Sequence, residues 1–195
     1  MVHRFDVAGR PQPVRPRAGC RRAVTLIELL IVVVILAVVA GVAIPRAEPT
    51  LADQLHAAAR ILAADLAYCR RLAVGHGSEY RIHFDWEGNR YEIRHAGDNS
   101  ELDELPPTPF READDPPDRQ IVYLDRLPGV EGRVRLAGAV QGDAGTPVDH
   151  VQFESTGETY RSGETRIILA AGSGTEERSL TVRVNGVTGL ATVEK

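Results

Sequence analysis

The sequence predicts an α+β fold in which one long N-terminal helix packs on a mostly antiparallel β-sheet domain. Three observations carry that reading. Residues 24–44 are apolar or glycine apart from Thr25 and Glu28. Residues 51–73 repeat apolar side chains every three or four positions, the mark of one buried helix face. After Gly77 the period falls to two, and turn residues separate short runs.

The helix comes first. From Leu29 to Ile44 every residue is apolar or glycine. With Val24–Ile27 added, the run reaches the ~20 residues that cross a bilayer as a helix. Before it, Arg4, Arg10, Arg15, Arg17, Arg21 and Arg22 face Asp6 alone, so residues 1–23 carry +5. The whole chain is −4, which leaves −9 on the other 172 residues. Arginines at this end stay in the cytoplasm and orient the C-terminal body outside.

Glu28 is the anomaly in this run. An ionised Glu at the centre of a membrane helix costs ~2.5–3.5 kcal/mol on insertion scales, and less near an end, where it reaches the interface. One reading makes it an interfacial residue of a signal anchor. The other follows from a cut between Ala23 and Val24, which creates an α-amino group one helical turn from the carboxylate. In an array of such helices, the amine of one copy neutralises Glu28 of the next.

Beyond Pro45, Leu51, Leu55, Ala58 or Ala59, Leu62, Leu66, Cys69 and Ala73 form a stripe, with Asp53, Arg60, Asp65, Arg70 and Arg71 mainly between them. A helix over 24–74 would be about 75 Å long at 1.5 Å per residue. Only its first ~30 Å fits in hydrocarbon. The second half is therefore amphipathic and lies on a soluble domain, with a bend at Pro45 and Pro49.

The strands follow. Residues 80–84 and 91–94 alternate around a turn at Trp86–Asn89, which predicts a hairpin. Gly97–Arg119 holds five prolines and eight acidic residues and excludes a long helix or strand. Further strands are predicted at 121–124, 134–136, 151–153, 166–170, 180–184 and 187–193. Asn185-Gly186 reads as a two-residue hairpin turn between the last two.

Little in the chain points to catalysis. No catalytic residue, cofactor or metal is expected, because no His pair has metal-ligand spacing with a Cys. His56 beside the helix stripe reads as a surface residue. Ser155-Thr156-Gly157 lacks the glycines of a nucleophile elbow. The glycine-rich Ala171–Glu177 stretch has no following Lys and reads as a hairpin loop. Asp114, Asp115 and Asp118 supply oxygen donors for a cation such as Ca²⁺, but match no calcium-loop spacing. They read as a solvated loop. Cys69 falls on the core stripe and is expected to be inert. The acidic body argues against nucleic acid as a partner, since phosphate binding rests on Lys and Arg. Only a cluster of Arg161, Arg166, Arg178 and Arg183 on one face would change that.

Residues 23–45, "AVTLIELLIVVVILAVVAGVAIP", closely resemble the N-terminus of type IV pilins and type II secretion pseudopilins. That resemblance implies a pilin-like fold with three segments. Residues 1–23 would be the basic prepilin leader, 24–45 the transmembrane assembly helix, and 46–195 a periplasmic domain with a helix over 46–75 and sheet over 78–195. It places prepilin peptidase cleavage between Ala23 and Val24, N-methylation on Val24, the assembly contact at Glu28 and a helix kink at Pro45. The family usually has Gly before the cut and Phe after it, where this chain has Ala23 and Val24.

The C-terminal residues 151–195 are similar to the final sheet of the GspH/FimT group. The likeness lies in Val151-Gln152-Phe153, Gly157, Arg166–Leu169 and Leu180–Val184 turning at Gly186. The group implies a non-enzymatic minor pseudopilin at or near the tip of a type II secretion pseudopilus, or alternatively a FimT/FimU-like minor pilin of a type IV pilus, in pilus priming or DNA uptake. Either would sit in the inner membrane by a single pass, with its C-terminal domain in the periplasm. Its implied partners are other pseudopilins or pilins through the N-terminal helix, the prepilin peptidase and the inner-membrane assembly platform.

Other export signals compete over the same residues. Arg21-Arg22 suits a twin-arginine motif, but Glu28 interrupts the hydrophobic region. Cys20 has no hydrophobic stretch before it to make a lipoprotein box. A conventional signal peptide cut after Gly41–Ala43 stays open as an alternative that would release a soluble protein.

Overall fold

The computed structural model describes residues 24–43, 49–107, 115–130 and 132–194. They fall into two compact units that divide between residues 47 and 48. The first contains helix α1, Leu26–Ala43. The second contains helix α2, Leu51–His76, and all the strands.

The single long helix expected over 24–74 is thus two helices among the described residues. The start of α2 gives the reason. Pro49 lacks a donor, and Thr50 is extended (φ −64°, ψ 160°) and acts as a fresh N-cap. Its hydroxyl accepts from the Asp53 amide at 3.2 Å, while Asp53 accepts from the Thr50 amide at 3.2 Å. This reciprocal capping box satisfies two amide donors that a helix start leaves open. The expected helix start at 46 therefore moves to Leu51. Pro45, the expected kink, lies outside the described residues.

The stripe on α2 forms as the spacing predicts. Leu55, Ala58, Ala59, Leu62, Leu66, Cys69, Leu72 and Ala73 are buried. They meet two sheets instead of the single one expected. The first sheet has the order β3-β2-β1-β6, with β1 at Tyr80–Asp85, β2 at Arg90–His95, β3 at Arg119–Tyr123 and β6 at His150–Phe153. The second has the order β5-β4-β7-β8-β9. Its strands are β4 (Val134–Gln141), β5 (Thr146–Pro147), β7 (Glu164–Ala171), β8 (Arg178–Asn185) and β9 (Ala191–Glu194). Every strand pair is antiparallel. Helix α2 packs on β1 of the first sheet and on β7, β8 and β9 of the second. Tyr80, Ile82, Phe84, Tyr91 and Ile93 close the core from one side, and Ile167, Leu169, Val182 and Val184 from the other.

Several strand limits differ from the alternation pattern, each for a local reason. Strand β4 runs five residues past Leu136 because a bulge between Leu136 and Gly138 shifts the register. Inward positions change from 134 and 136 to 139, which ends a period-two reading. Strand β5 was not expected; it is a two-residue edge containing Pro147, where an edge tolerates the missing donor. The Asn185-Gly186 turn is not a two-residue hairpin. Asn185 caps a longer loop by accepting from the Val187 and Thr188 amides, and Gly189 takes the left-handed conformation at φ 63°. Strand β9 then begins at Ala191 instead of Val187. Gly186 is needed for another reason, since a Cβ there would meet the Gly163 carbonyl.

Two loops converge on Arg70 of α2. Its Nε donates to the Gly157 carbonyl at 2.9 Å, and a Cβ at either Gly157 or Gly189 would press on its side chain. Both glycines also have positive φ, 89° and 63°. A side chain at either position would therefore clash and strain the backbone together.

Asp65 is the exception to the helix pattern. Instead of lying on the polar side it is buried, accepting from the Tyr91 hydroxyl at 2.6 Å. Burial pushes its pKa up, against the Tyr91 hydrogen bond. Burial also holds Tyr91 well above the usual phenol range, so it remains a donor. A carboxyl with a raised folded-state pKa stabilises the fold below its unfolded value, and that contribution is lost as pH rises through the folded value. Tyr91→Phe should cost about 1–3 kcal/mol at neutral pH, where the carboxylate loses its donor. Urea titrations across pH should show that penalty shrinking toward acid. Asp65→Asn should flatten the stability profile above about pH 4, near the unfolded carboxyl value of 3.8.

Candidate assembly segment

Helix α1 starts where its sequence supplies a cap. The Thr25 hydroxyl accepts from the Glu28 amide at 3.2 Å, and the Thr25 carbonyl accepts from Leu29 at 3.2 Å. Thr25-Leu26-Ile27-Glu28 has capping-box spacing, which places Glu28 in the first turn. There its negative charge lies at the positive end of the helix dipole. The carboxylate thus has an intrachain reason for its place, in addition to any partner outside the chain. The sequence reading of Glu28, as an interfacial residue or as the partner of a neighbour's amine, does not include this cap.

The rest of α1 has no polar face. From Leu29 to Val39 every residue is apolar and exposed. The large side chains Leu29, Leu30, Ile31, Val32, Val33, Val34, Ile35, Leu36, Val38 and Val39 are each at least half exposed. Soluble proteins rarely leave so continuous an apolar surface without something to cover it. The helix has 18 residues, about 27 Å at 1.5 Å per residue, against ~30 Å of hydrocarbon. Among the described residues no helix is long and apolar enough to cross a membrane.

Of the four positions singled out from the sequence, Val24 and Glu28 lie at the start of this segment. Val24 precedes the Thr25 cap and is 67% exposed. Ala23 and Pro45 lie outside the described residues, as do the leader and Asp114.

The body offers less chemistry. Among the described residues no group of three or more His, Cys, Asp or Glu is arranged to hold a metal ion. Cys69 is fully buried, and burial, with nearby Asp65, pushes its thiol well up from the usual range. His56 is half-buried. The sequence gave no sign of a chain of contacts through His95, whose side chain is almost fully buried. His95 Nδ1 lies 2.8 Å from Asp103 Oδ1, and Nε2 lies 2.8 Å from Ser78 Oγ. With Nδ1 protonated toward the carboxylate, Nε2 accepts from the Ser78 hydroxyl. The chain ties the loop after β2 to the residue that follows the α2 cap, Gly77.

Three of the four C-terminal arginines are engaged within the chain, and Arg178 is exposed. Arg166 and Arg183 are cross-strand partners. Arg183 is paired with Glu164 and, at 3.0 Å, with Glu194. Arg166 donates to the Gly142 carbonyl, and Arg161 to the His150 carbonyl.

An apolar capped helix, with a body of one α-helix and two antiparallel sheets, defines an α+β chain. The family model described as the prokaryotic N-terminal methylation motif matches residues 19–44. Among solved structures, the minor pseudopilin EpsH of the type 2 secretion system of Vibrio cholerae is similar in fold. It is 11% identical with a TM-score of 0.52, covering 73% of this chain and 97% of that one. The type IV minor pilin FimU of Pseudomonas aeruginosa is 18% identical with a TM-score of 0.47, covering 74% and 90%. No curated protein matches the sequence.

Proposed function

We propose that this chain is a minor pseudopilin of a type II secretion system, a structural subunit at or near the tip of a periplasmic pseudopilus. The observation that carries the reading is α1: a capped helix, apolar on all sides, with one carboxylate in its first turn and within a methylation motif. In this reading the chain rests in the inner membrane with residues 1–23 in the cytoplasm. The prepilin peptidase cuts between Ala23 and Val24 and the Val24 amine is methylated. The assembly platform then draws α1 from lipid into a bundle of like helices. Its apolar surface passes from one nonpolar environment to another. The decisive change is at Glu28, whose charge meets a Val24 amine instead of an interface. The folded body remains in the periplasm and is not an enzyme.

The same helix would serve a FimU-like minor pilin. The charge distribution favours secretion over the DNA-uptake form of that alternative. Residues 24–195 carry −9, and Arg161, Arg166 and Arg183 are engaged by carboxylates or carbonyls. A set of adjacent pseudopilin genes would support the secretion system.

Processing is tested by mass spectrometry of the protein purified from membranes. The expected N-terminus is Val24 carrying one added methyl group. An N-terminus at Ile44 would mean a conventional signal peptide and would remove the basis for assembly through α1.

Glu28 is tested by substitution. Glu28→Gln keeps the size of the side chain and leaves the Thr25 cap in place, so processing should persist. Incorporation into filaments should fall about tenfold or more, because the amine would enter the bundle unpaired. Glu28→Leu should insert in the membrane at least as well as the parent chain and assemble no better than Glu28→Gln. Normal assembly of both processed variants would show that Glu28 serves only the helix start.

A further inference from the structure

We infer that the first sheet carries a carboxylate-binding site built on Arg81 and Arg94, which takes an acidic side chain of a partner protein. The site lies in the body and stands independently of the reading of α1.

Its basis is a row of like charges. Arg81 on β1 is the direct cross-strand partner of Arg94 on β2, and Arg94 is the partner of Arg119 on β3. Like charges placed opposite one another on a sheet are destabilising. Arg119 is compensated, by Asp118 at 2.9 Å and Glu92 at 3.5 Å. Neither Arg81 nor Arg94 has a carboxylate within salt-bridge distance among the described residues, and Arg94 is compensated only at longer range, by Asp118.

The nearby acids are already engaged. Asp103 is held by His95 at 2.8 Å, Asp118 by Arg119, and Glu79 accepts from Gln152 at 2.6 Å.

Arg81 and Arg94 line a cavity of about 250 Å³ with His95, Asp103 and Asp118. Two guanidinium groups on one wall suit an oxyanion, since each presents a planar fork of donors. Asp103 and Asp118 on the same cavity set its charge. They offset much of the attraction from the two arginines, which leaves the larger desolvation cost of a dianion uncovered and favours a carboxylate over a phosphate. The cavity has room for the end of one Glu or Asp side chain.

The test is thermal unfolding of the full chain in zwitterionic detergent at constant ionic strength. N-acetyl-glutamate α-amide, with a single side-chain carboxylate, should raise the midpoint saturably. N-acetyl-glutamine amide should not, and inorganic phosphate should do less. Arg81→Gln and Arg94→Gln should each abolish the rise, while Arg133→Gln, an exposed arginine elsewhere, should retain it. Without ligand, Arg81→Gln should be at least as stable as the parent, because one of two opposed charges is gone; an arginine with a purely structural role would lower the midpoint. Equal responses to the glutamate and glutamine compounds, or a response that survives both substitutions, would overturn the site. A larger response to phosphate would overturn the carboxylate assignment.

Discussion

The folded body depends on the burial of one face of α2 between two sheets. Leu62, Leu66, Cys69 and Ala73 are at most 1% exposed, and the sheets that cover them are separate hydrogen-bonded units. Without the helix, each sheet would present an apolar face to water. At ~25 cal/mol per Å² of apolar surface buried, such faces supply the main force holding the domain together. Everything else in the body is arranged around that contact. Arg70 extends from α2 to fix the loops at Gly157 and Gly189, and Asp65 extends from it to Tyr91. The cost of the second arrangement is a carboxylate in a poor solvent, tolerated because the phenol stays protonated.

Helix α1 obeys a different constraint. Its described side chains are exposed, so its stability in water would rest on propensity and capping. An apolar surface on every side has only two suitable environments, lipid or a bundle of similar helices. A carboxylate near the end of such a helix is tolerable in both. In the first it can reach the interface, and in the proposed bundle it would meet an amine. The Thr25 cap fixes where the helix begins and so places Glu28 in its first turn. Under the proposed function, local capping and subunit assembly would use the same four residues.

Much of this was legible from side-chain periodicity. The α2 stripe, the 80–94 hairpin and the α+β class follow from spacing, because burial imposes periods of 3.6 and 2 directly. Three kinds of feature were not legible. Asp65 is charged, and a pattern that assigns charge to the surface cannot foresee a buried pair whose partner is 26 residues away. The bulge after Leu136 inverts the alternation on which the pattern relies. The arginine row across β1, β2 and β3 depends on registers set by separate loops, one of them the proline-rich 97–119 segment. Division into two sheets has the same origin, since strand lengths alone do not say which strands pair. In α1 the charge at Glu28 is legible, but the capping role of Thr25 is not, because a Thr three residues before a Glu signals a helix start only where the helix is known to begin there.

The body is complete without α1, and its helix begins at Leu51 behind the Thr50 cap. This is tested most directly by equilibrium unfolding of residues 49–195 and 51–195, followed by circular dichroism. The longer fragment should unfold in one cooperative transition with mixed helix and strand signal. The shorter one lacks the Thr50 cap and the Pro49 carbonyl that accepts from Gln54. It should remain folded but be weaker by about 1 kcal/mol, the usual worth of a cap. An unfolded longer fragment, or one that gains its structure only when residues 24–48 are restored, would contradict the account.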